Sequence, residues 1–230
     1  MAIDKHVQSA AEALSGIRNG ASVLISGFGG AGFPNTLIKA LREAGPRELT
    51  LIVNSATHKY AFTGDLIEAG MVRKVVCSAA RGHAPGLSKF EELWSQGRIE
   101  LECLPQGTFA EAIRAGGAGI PAFYTPVGVG TELTRDKEVR VFEGREHVLE
   151  KALKGDVALL RADRADRYGN LSFRYSQANF GPAMATAAAL SVAEVNQFSA
   201  EPMSHLEIDL PGVFIDRVLQ CPMVWPEGAQ

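Results

Sequence analysis

Residues 26–34 read Ser26-Gly27-Phe28-Gly29-Gly30-Ala31-Gly32-Phe33-Pro34, with four glycines in six positions. Glycines at this density let backbone N–H groups face an anion without Cβ atoms in the way. The apolar run Val23-Leu24-Ile25 leads in, and a helical pattern from Pro34 to about Ala44 leads out. Pro34 suits a first helical turn, where its missing donor costs nothing. The unpaired N–H groups and dipole of that helix start would add to the glycines, so the chemistry on offer is phosphate binding. The same stretch also satisfies G-x-G-x-x-G, whose dinucleotide form places an acid at the end of the next strand to hold a ribose hydroxyl. The next strand, Leu49 to Val53, runs instead into Asn54 and Ser55. Two alternatives therefore stand beside a phosphate cradle. One is a nicotinamide-dependent (NAD) dehydrogenase that lacks its second requirement; the other is a tight strand-to-helix turn with no ligand.

A second polar group stands at Gln106, in Leu104-Pro105-Gln106-Gly107-Thr108, just past the end of an expected strand. Open parallel sheets bind ligands at that edge. A side-chain amide there could donate to an acyl oxygen that gains negative charge, the task of an oxyanion hole. The plainer alternative is a solvated glutamine in a helix N-terminal turn. Other chemistry finds no support. The chain has neither the G-x-x-x-x-G-K-[ST] phosphate loop nor the G-x-S-x-G nucleophile elbow, and His6, His58, His83, His147 and His205 lack metal-ligand spacing. Glu111 reads as a helix cap and Glu132 as a loop charge. The sequence thus offers a ligand cradle without a nucleophile or an acid–base pair, and no metal is expected.

The elements that must position these groups alternate strand and helix. Asp4 is placed to cap a helix carrying Val7, Ala10, Ala11, Leu14 and Ile17 at helical spacing, which ends at Gly20. Strand Ser22 to Ser26 is followed by helix Pro34 to Ala44, and strand Leu49 to Val53 by a short helix Asp65 to Ala69. Strand Val72 to Cys77 is followed by helix Lys89 to Gln96 and strand Ile99 to Leu104. Thr108 and Glu111 have the spacing of a capping box for the next helix. This alternation predicts an open, mostly parallel α/β sheet flanked by helices. From about 120 to 180 the texture becomes loop- and hairpin-rich. Strands are expected at Lys137 to Phe142, Val157 to Arg161 and Ser191 to Val195, with a second hairpin arm at Leu171 to Tyr175 and a small-residue helix at Ala183 to Ala189. The tail, Pro222 to Gln230, is expected to be loosely held. Residues 1–230 are read as a single domain.

The formal net charge of -3 argues against nucleic-acid binding and against a basic membrane-surface protein. No apolar run approaches the roughly 18 to 20 residues of a membrane span. The N-terminus lacks the pattern of a secretory signal, so a cytoplasmic location is expected. Cys77, Cys103 and Cys221 are odd in number and widely spaced, as reduced thiols would be.

At the glycine stretch, at Val72-Arg73-Lys74-Val75-Val76-Cys77, and above all at Pro105 to Thr131, the sequence resembles the A (alpha) subunit of the 3-oxoacid type, family I, CoA-transferases. Asp163 to Asn179 resembles that family's A-D-x-x-G-N turn and N-F segment. The resemblance covers about residues 4 to 220. It implies the CoA-transferase (NagB/RpiA-like) fold and a partner, the B (beta) subunit, with an A2B2 heterotetramer as the expected assembly. It also implies ping-pong transfer of CoA from an acyl-CoA such as succinyl-CoA to a 3-oxoacid, 3-oxoadipate or acetoacetate. In the family the nucleophile is a glutamate of the B half, in an S-E-N-G-type motif that this sequence lacks. By the same resemblance, Ser26, Gly27, Phe28, Gly29, Gly30, Ala31 and Gly32 would bind CoA as a substrate, and Gln106 would serve the oxyanion. No tightly bound cofactor is implied. Two departures stand out: many relatives carry Arg where this chain has Ala178, and Asn54 to Tyr60 is atypical.

Overall fold

The computed structural model describes residues 3–82 and 85–228. In chain order the elements are β1 (His6–Val7), α1 (Ala10–Ala13), β2 (Ser22–Ile25), α2 (Asn35–Ala44), β3 (Leu49–Val53), α3 (Thr63–Glu68) and β4 (Val72–Cys77). They continue with α4 (Lys89–Ser95), β5 (Glu100–Cys103), α5 (Gln106–Gly117), β6 (Ala122–Thr125), β7 (Val139–Phe142) and β8 (Arg145–Lys151). The last are β9 (Gly155–Asp166), β10 (Leu171–Ser172), α6 (Gly181–Thr186), β11 (Ala188–Ser199) and β12 (Arg217–Gln220). The main sheet runs β1-β12-β11-β9-β2-β3-β4-β5, and β10 pairs antiparallel with β9. Every other pairing in it is parallel. The expected open, mostly parallel α/β sheet is the observed fold. A separate antiparallel sheet, β6-β8-β7, occupies the segment after α5.

Alternation along the central strands divides the core between two faces. Val23 and Ile25 of β2, Leu51 and Val53 of β3, and Val75 and Cys77 of β4 meet Leu37, Ile38 and Leu41 of α2 with Leu66, Ile67, Phe90 and Leu93 of α3 and α4. Leu24, Ile52 and Val76 point the other way and meet Phe109 and Ile113 of α5 with Met184 of α6. Strands are apolar where helices cover both faces, which is why 23–25 of β2, 51–53 of β3 and 75–77 of β4 stand out in the sequence, while Arg73 near the start of β4 is exposed. The α2 helix stops at Gly45, a C-cap at φ 75°, where a Cβ would be strained.

Several expectations need correction, among them the helix at 183–189: α6 ends at Thr186, and Ala188 and Ala189 already belong to β11. Val7 lies in β1, paired to Leu219 of β12, and not in a helix; α1 starts after Ser9, whose hydroxyl accepts the Glu12 N–H at 3.1 Å. A short strand whose partner lies at the other end of the chain leaves no local signal. Thr108 caps nothing: α5 begins at Gln106 after Pro105, and Glu111 pairs with Arg114 at 2.6 Å. The strands expected at 157–161 and 191–195 extend to the full lengths of β9 and β11, which pair along nearly their whole course. The tail is partly anchored, since Asn35 Nδ2 donates to the Val224 carbonyl at 2.9 Å and Trp225 meets the Tyr60 ring edge-on.

Candidate active site

The glycine stretch leaves the C-terminal end of β2 as a tight hairpin. Phe28 and Ala31 exchange N–H···O=C bonds, both at 3.0 Å. Gly27, Gly29, Gly30 and Gly32 all have positive φ. Two of them admit no side chain: a Cβ on Gly27 would lie 2.1 Å from the Phe33 ring, and one on Gly32 would lie 2.5 Å from the Gln177 carbonyl oxygen. The hairpin therefore needs glycine for its turn and also for its close packing.

Not every group in the expected cradle is open to a ligand. Ser26 is buried and its hydroxyl donates to the Gly32 carbonyl at 2.7 Å, while accepting the Arg161 N–H at 3.3 Å. The N–H of Gly27 donates to Asn179 Oδ1 at 3.1 Å. Those of Phe28 and Ala31 are used within the hairpin. Among the described residues, the N–H groups of Gly29 and Gly30, at the exposed tip, make no hydrogen bond and are the ones left to meet an anion, whereas Gly32 is buried.

The start of α2, read from the sequence as part of the cradle, is already occupied. Glu194 of β11 sends its carboxylate beneath the hairpin, where Oε2 accepts the Leu37 N–H at 2.9 Å. Its Oε1 lies 3.0 Å from Arg161 Nη1, and both side chains are fully buried. An internal carboxylate thus takes the electropositive helix end that an external phosphate would have used. Burial pushes the Glu194 carboxyl up to about 7, against the pull of Arg161 and of the Leu37 and Thr36 N–H groups. Arg161 also reaches the Asn196 carboxamide and, at 3.4 Å, the Cys221 carbonyl. The sequence signal for this pair was a lone charge inside each of two apolar runs, Leu159-Leu160-Arg161-Ala162 and Ala193-Glu194-Val195.

Gln106 is the first residue of α5, at the same edge of the sheet. Its Nε2 donates to Asn54 Oδ1 at 3.0 Å, and Ser78 Oγ donates to the same Oδ1 at 3.0 Å. Asn54 closes β3 and Ser78 follows β4, so the ends of two strands fix the Gln106 amide with its nitrogen toward Asn54. One N–H of that nitrogen is left over after this bond. No side chain caps α5, so its first N–H groups are left uncapped beside the amide. Asn54, which stands where a dinucleotide site would place an acid, is thereby part of the site.

Hairpin and glutamine meet at one cavity of about 360 Å³, lined by Phe28, Gln106, Gly107, Ala110, Asn179, Phe180 and Ala183. Phe28 is 45% exposed and meets Phe180 edge-on at 6.3 Å, and Phe180 in turn packs on buried Phe109 at 5.4 Å. The walls are aromatic and small, and the polar groups are amides. No acid, thiol or hydroxyl stands among these lining residues.

No titratable group is among the residues lining this cavity. Cys77 is buried, and its thiol is pushed up to about 12 by burial and by Cys103, so it is no nucleophile near neutral pH. The His58 ring packs against Phe33 and Tyr60, and its Nδ1 accepts the Tyr60 N–H at 3.3 Å. His83 lies outside the described residues. No group of His, Cys, Asp and Glu among the described residues could hold a metal ion, and no helix there is long and apolar enough to cross a membrane.

Comparison with known proteins gives this arrangement its context. Residues 7–220 match the family model described as Coenzyme A transferase. Over 218 residues the chain is 44% identical to the A subunit of 3-oxoadipate CoA-transferase from Pseudomonas putida, covering 94% of each. Over 217 residues it is 42% identical to the A subunit of succinyl-CoA:3-ketoacid coenzyme A transferase from Xanthomonas campestris pv. campestris (strain B100), covering 94% of this chain and 88% of that one. The fold also matches the crystal structure of the acyl-CoA transferase YdiF apoenzyme from Escherichia coli O157:H7, with a TM-score of 0.81 at 22% identity. That match covers 99% of this chain and 49% of the other, so this chain spans about half the YdiF length. These relatives support the transferase reading and lend nothing to a nicotinamide dehydrogenase.

Proposed function

The chain belongs to the coenzyme A transferase family, and on that premise we propose that it is the A (alpha) half of a two-subunit, 3-oxoacid CoA-transferase. Residues 1–230 serve as one such subunit domain, joined to a B (beta) partner, with A2B2 as the proposed assembly. The donor is an acyl-CoA such as succinyl-CoA, and the acceptor is 3-oxoadipate or acetoacetate. The observation that carries this reading is the cavity at Gln106 and Phe28: it presents donors and an apolar wall but no nucleophile. A carboxylate from a second chain supplies what is missing.

In the proposed cycle the partner's glutamate attacks the thioester carbonyl, giving an acyl-glutamyl anhydride and releasing CoA thiolate. The thiolate then attacks the glutamyl carbonyl, which expels the first acid and leaves a glutamyl-CoA thioester. The acceptor carboxylate repeats both steps in reverse. Each attack turns a carbonyl oxygen into an oxyanion, and the Gln106 amide, oriented by Asn54, donates to it. The uncapped start of α5 adds its positive end nearby. The hairpin N–H groups of Gly29 and Gly30 meet anionic groups of CoA, and the Phe28 ring covers an apolar part of it. Binding energy from these remote contacts is then available to stabilise the reacting centre.

The division of labour is tested by assaying this chain by itself, the beta partner by itself, and the two co-expressed, with succinyl-CoA and each 3-oxoacid. Transfer is expected only from the co-expressed pair. Robust transfer by this chain in isolation would overturn the assignment, and activity of the isolated partner would reduce this chain to an assembly factor.

A further inference from the structure

The hairpin does not hold its shape unaided. Its two backbone hydrogen bonds close the tip, Phe28 to Ala31, the Ser26 hydroxyl ties the base to the Gly32 carbonyl at 2.7 Å, and the stretch between is fixed from outside. Asn179, 148 residues beyond Ala31, does this with a single side chain. Its Oδ1 accepts the Gly27 N–H at 3.1 Å on the incoming arm, and its Nδ2 donates to the Ala31 carbonyl at 3.1 Å on the outgoing arm. The same carboxamide ties down its own segment. Oδ1 accepts the Phe180 N–H at 2.7 Å, and Nδ2 lies within 3.1 Å of the Ser176 and Gln177 carbonyls.

The backbone is bent to allow this. Asn179 sits at φ +25° and Tyr175 at φ +54°, in the left-handed region that non-glycine residues rarely adopt. Such conformations persist where the surroundings over-determine them, and they gather at functional sites. The Tyr175 side chain is 89% exposed and stacks with Arg174. Asn179, by contrast, lines the cavity beside Phe28 and Phe180.

We infer that Asn179 is a positioning residue, a clasp whose one carboxamide spans both arms of the glycine hairpin and sets the free Gly29 and Gly30 N–H groups in place before the ligand arrives. This rests on the proposal that the hairpin binds CoA. A hairpin held open and ordered avoids the ordering cost that a loose glycine loop would incur on binding. The clasp therefore acts on affinity for the CoA donor and leaves the chemical step at Gln106 untouched.

The test uses the co-expressed two-subunit enzyme with Asn179→Gly, which removes both arms of the clasp and accepts the positive φ. Tyr175→Gly, which relieves the neighbouring strained residue and leaves the Asn179 carboxamide in place, serves as the control. Amide hydrogen exchange of residues 26–33 and the kinetics with succinyl-CoA are both measured. Asn179→Gly is expected to speed exchange in the hairpin and raise KM for succinyl-CoA about tenfold, the effect of losing two ordinary hydrogen bonds, while kcat stays within about twofold. Tyr175→Gly is expected to match wild type in both. Unchanged exchange or KM in Asn179→Gly, or an equal effect from Tyr175→Gly, would overturn the clasp. A wild-type enzyme that fails to turn over succinyl-CoA would count against the transferase reading instead, and the exchange data would still judge the clasp.

Discussion

Replacing Glu194 with alanine is expected to destabilise the fold by about 3 to 5 kcal/mol, the usual result of leaving one member of a buried ion pair alone. Arg161 and Glu194 are each fully buried and 3.0 Å apart. Removing the carboxylate strands the guanidinium and also leaves the Leu37 N–H at the start of α2 without its acceptor. A denaturant melt at neutral pH measures the loss, and a change under about 1 kcal/mol would contradict it. The pair need not be a net stabiliser. Exchanging both members for apolar residues, Arg161→Met with Glu194→Leu, is expected to recover most of the loss, because two desolvation costs disappear together.

The pH dependence of the same group has a definite sign. Its folded carboxyl is raised to about 7 from the ordinary 4.5, so between those values the folded state holds a proton that the unfolded state has released. Stability contributed by Glu194 is complete below about 4.5 and falls as pH rises toward 7. Comparing the melts of wild type and Glu194→Gln across that window isolates this slope from those of the other acids.

Gln106→Ala is expected to lower kcat by about 2 to 4 kcal/mol of transition-state stabilisation, roughly 30-fold to 1,000-fold, with little change in KM for succinyl-CoA. The split follows from the role. An oxyanion exists only after attack, so its donor acts on the transition state and adds little to the ground-state complex. Gln106 lies at the surface end of α5, its amide bonded to Asn54 and no apolar core resting on it. Its loss should therefore leave the melt nearly unchanged, which separates chemistry from folding. A rate equal to wild type would remove the amide from the mechanism and leave the uncapped helix start as the remaining donor at that edge.

The parts of this molecule that are legible in its sequence are the ones decided locally. Strands β2, β3 and β4 announce themselves because both faces are covered, and α2 because Gly45 ends it in a left-handed cap. The glycine hairpin and Gln106 are visible as residue types at strand ends. What stays hidden depends on distant partners. Val7 reads as helical until Leu219 pairs with it. Thr108 and Glu111 match a capping box by spacing, but Pro105 starts the helix earlier and Arg114 takes the glutamate. The largest revision concerns the cradle itself. A strand, glycines and a helix start suggest one continuous anion site, yet Glu194 fills the helix end from 157 residues away. The hairpin remains, and its ligand-facing donors are narrowed to Gly29 and Gly30.

The central claim is that this chain shapes the site and polarises the carbonyl while another chain carries the nucleophile. It is tested most directly by treating the co-expressed enzyme with succinyl-CoA in the absence of acceptor, and weighing the two intact polypeptides by mass spectrometry. The account predicts a CoA adduct on the beta partner, lost on adding the 3-oxoacid, and an unmodified mass for this chain. A CoA adduct on this chain would contradict it.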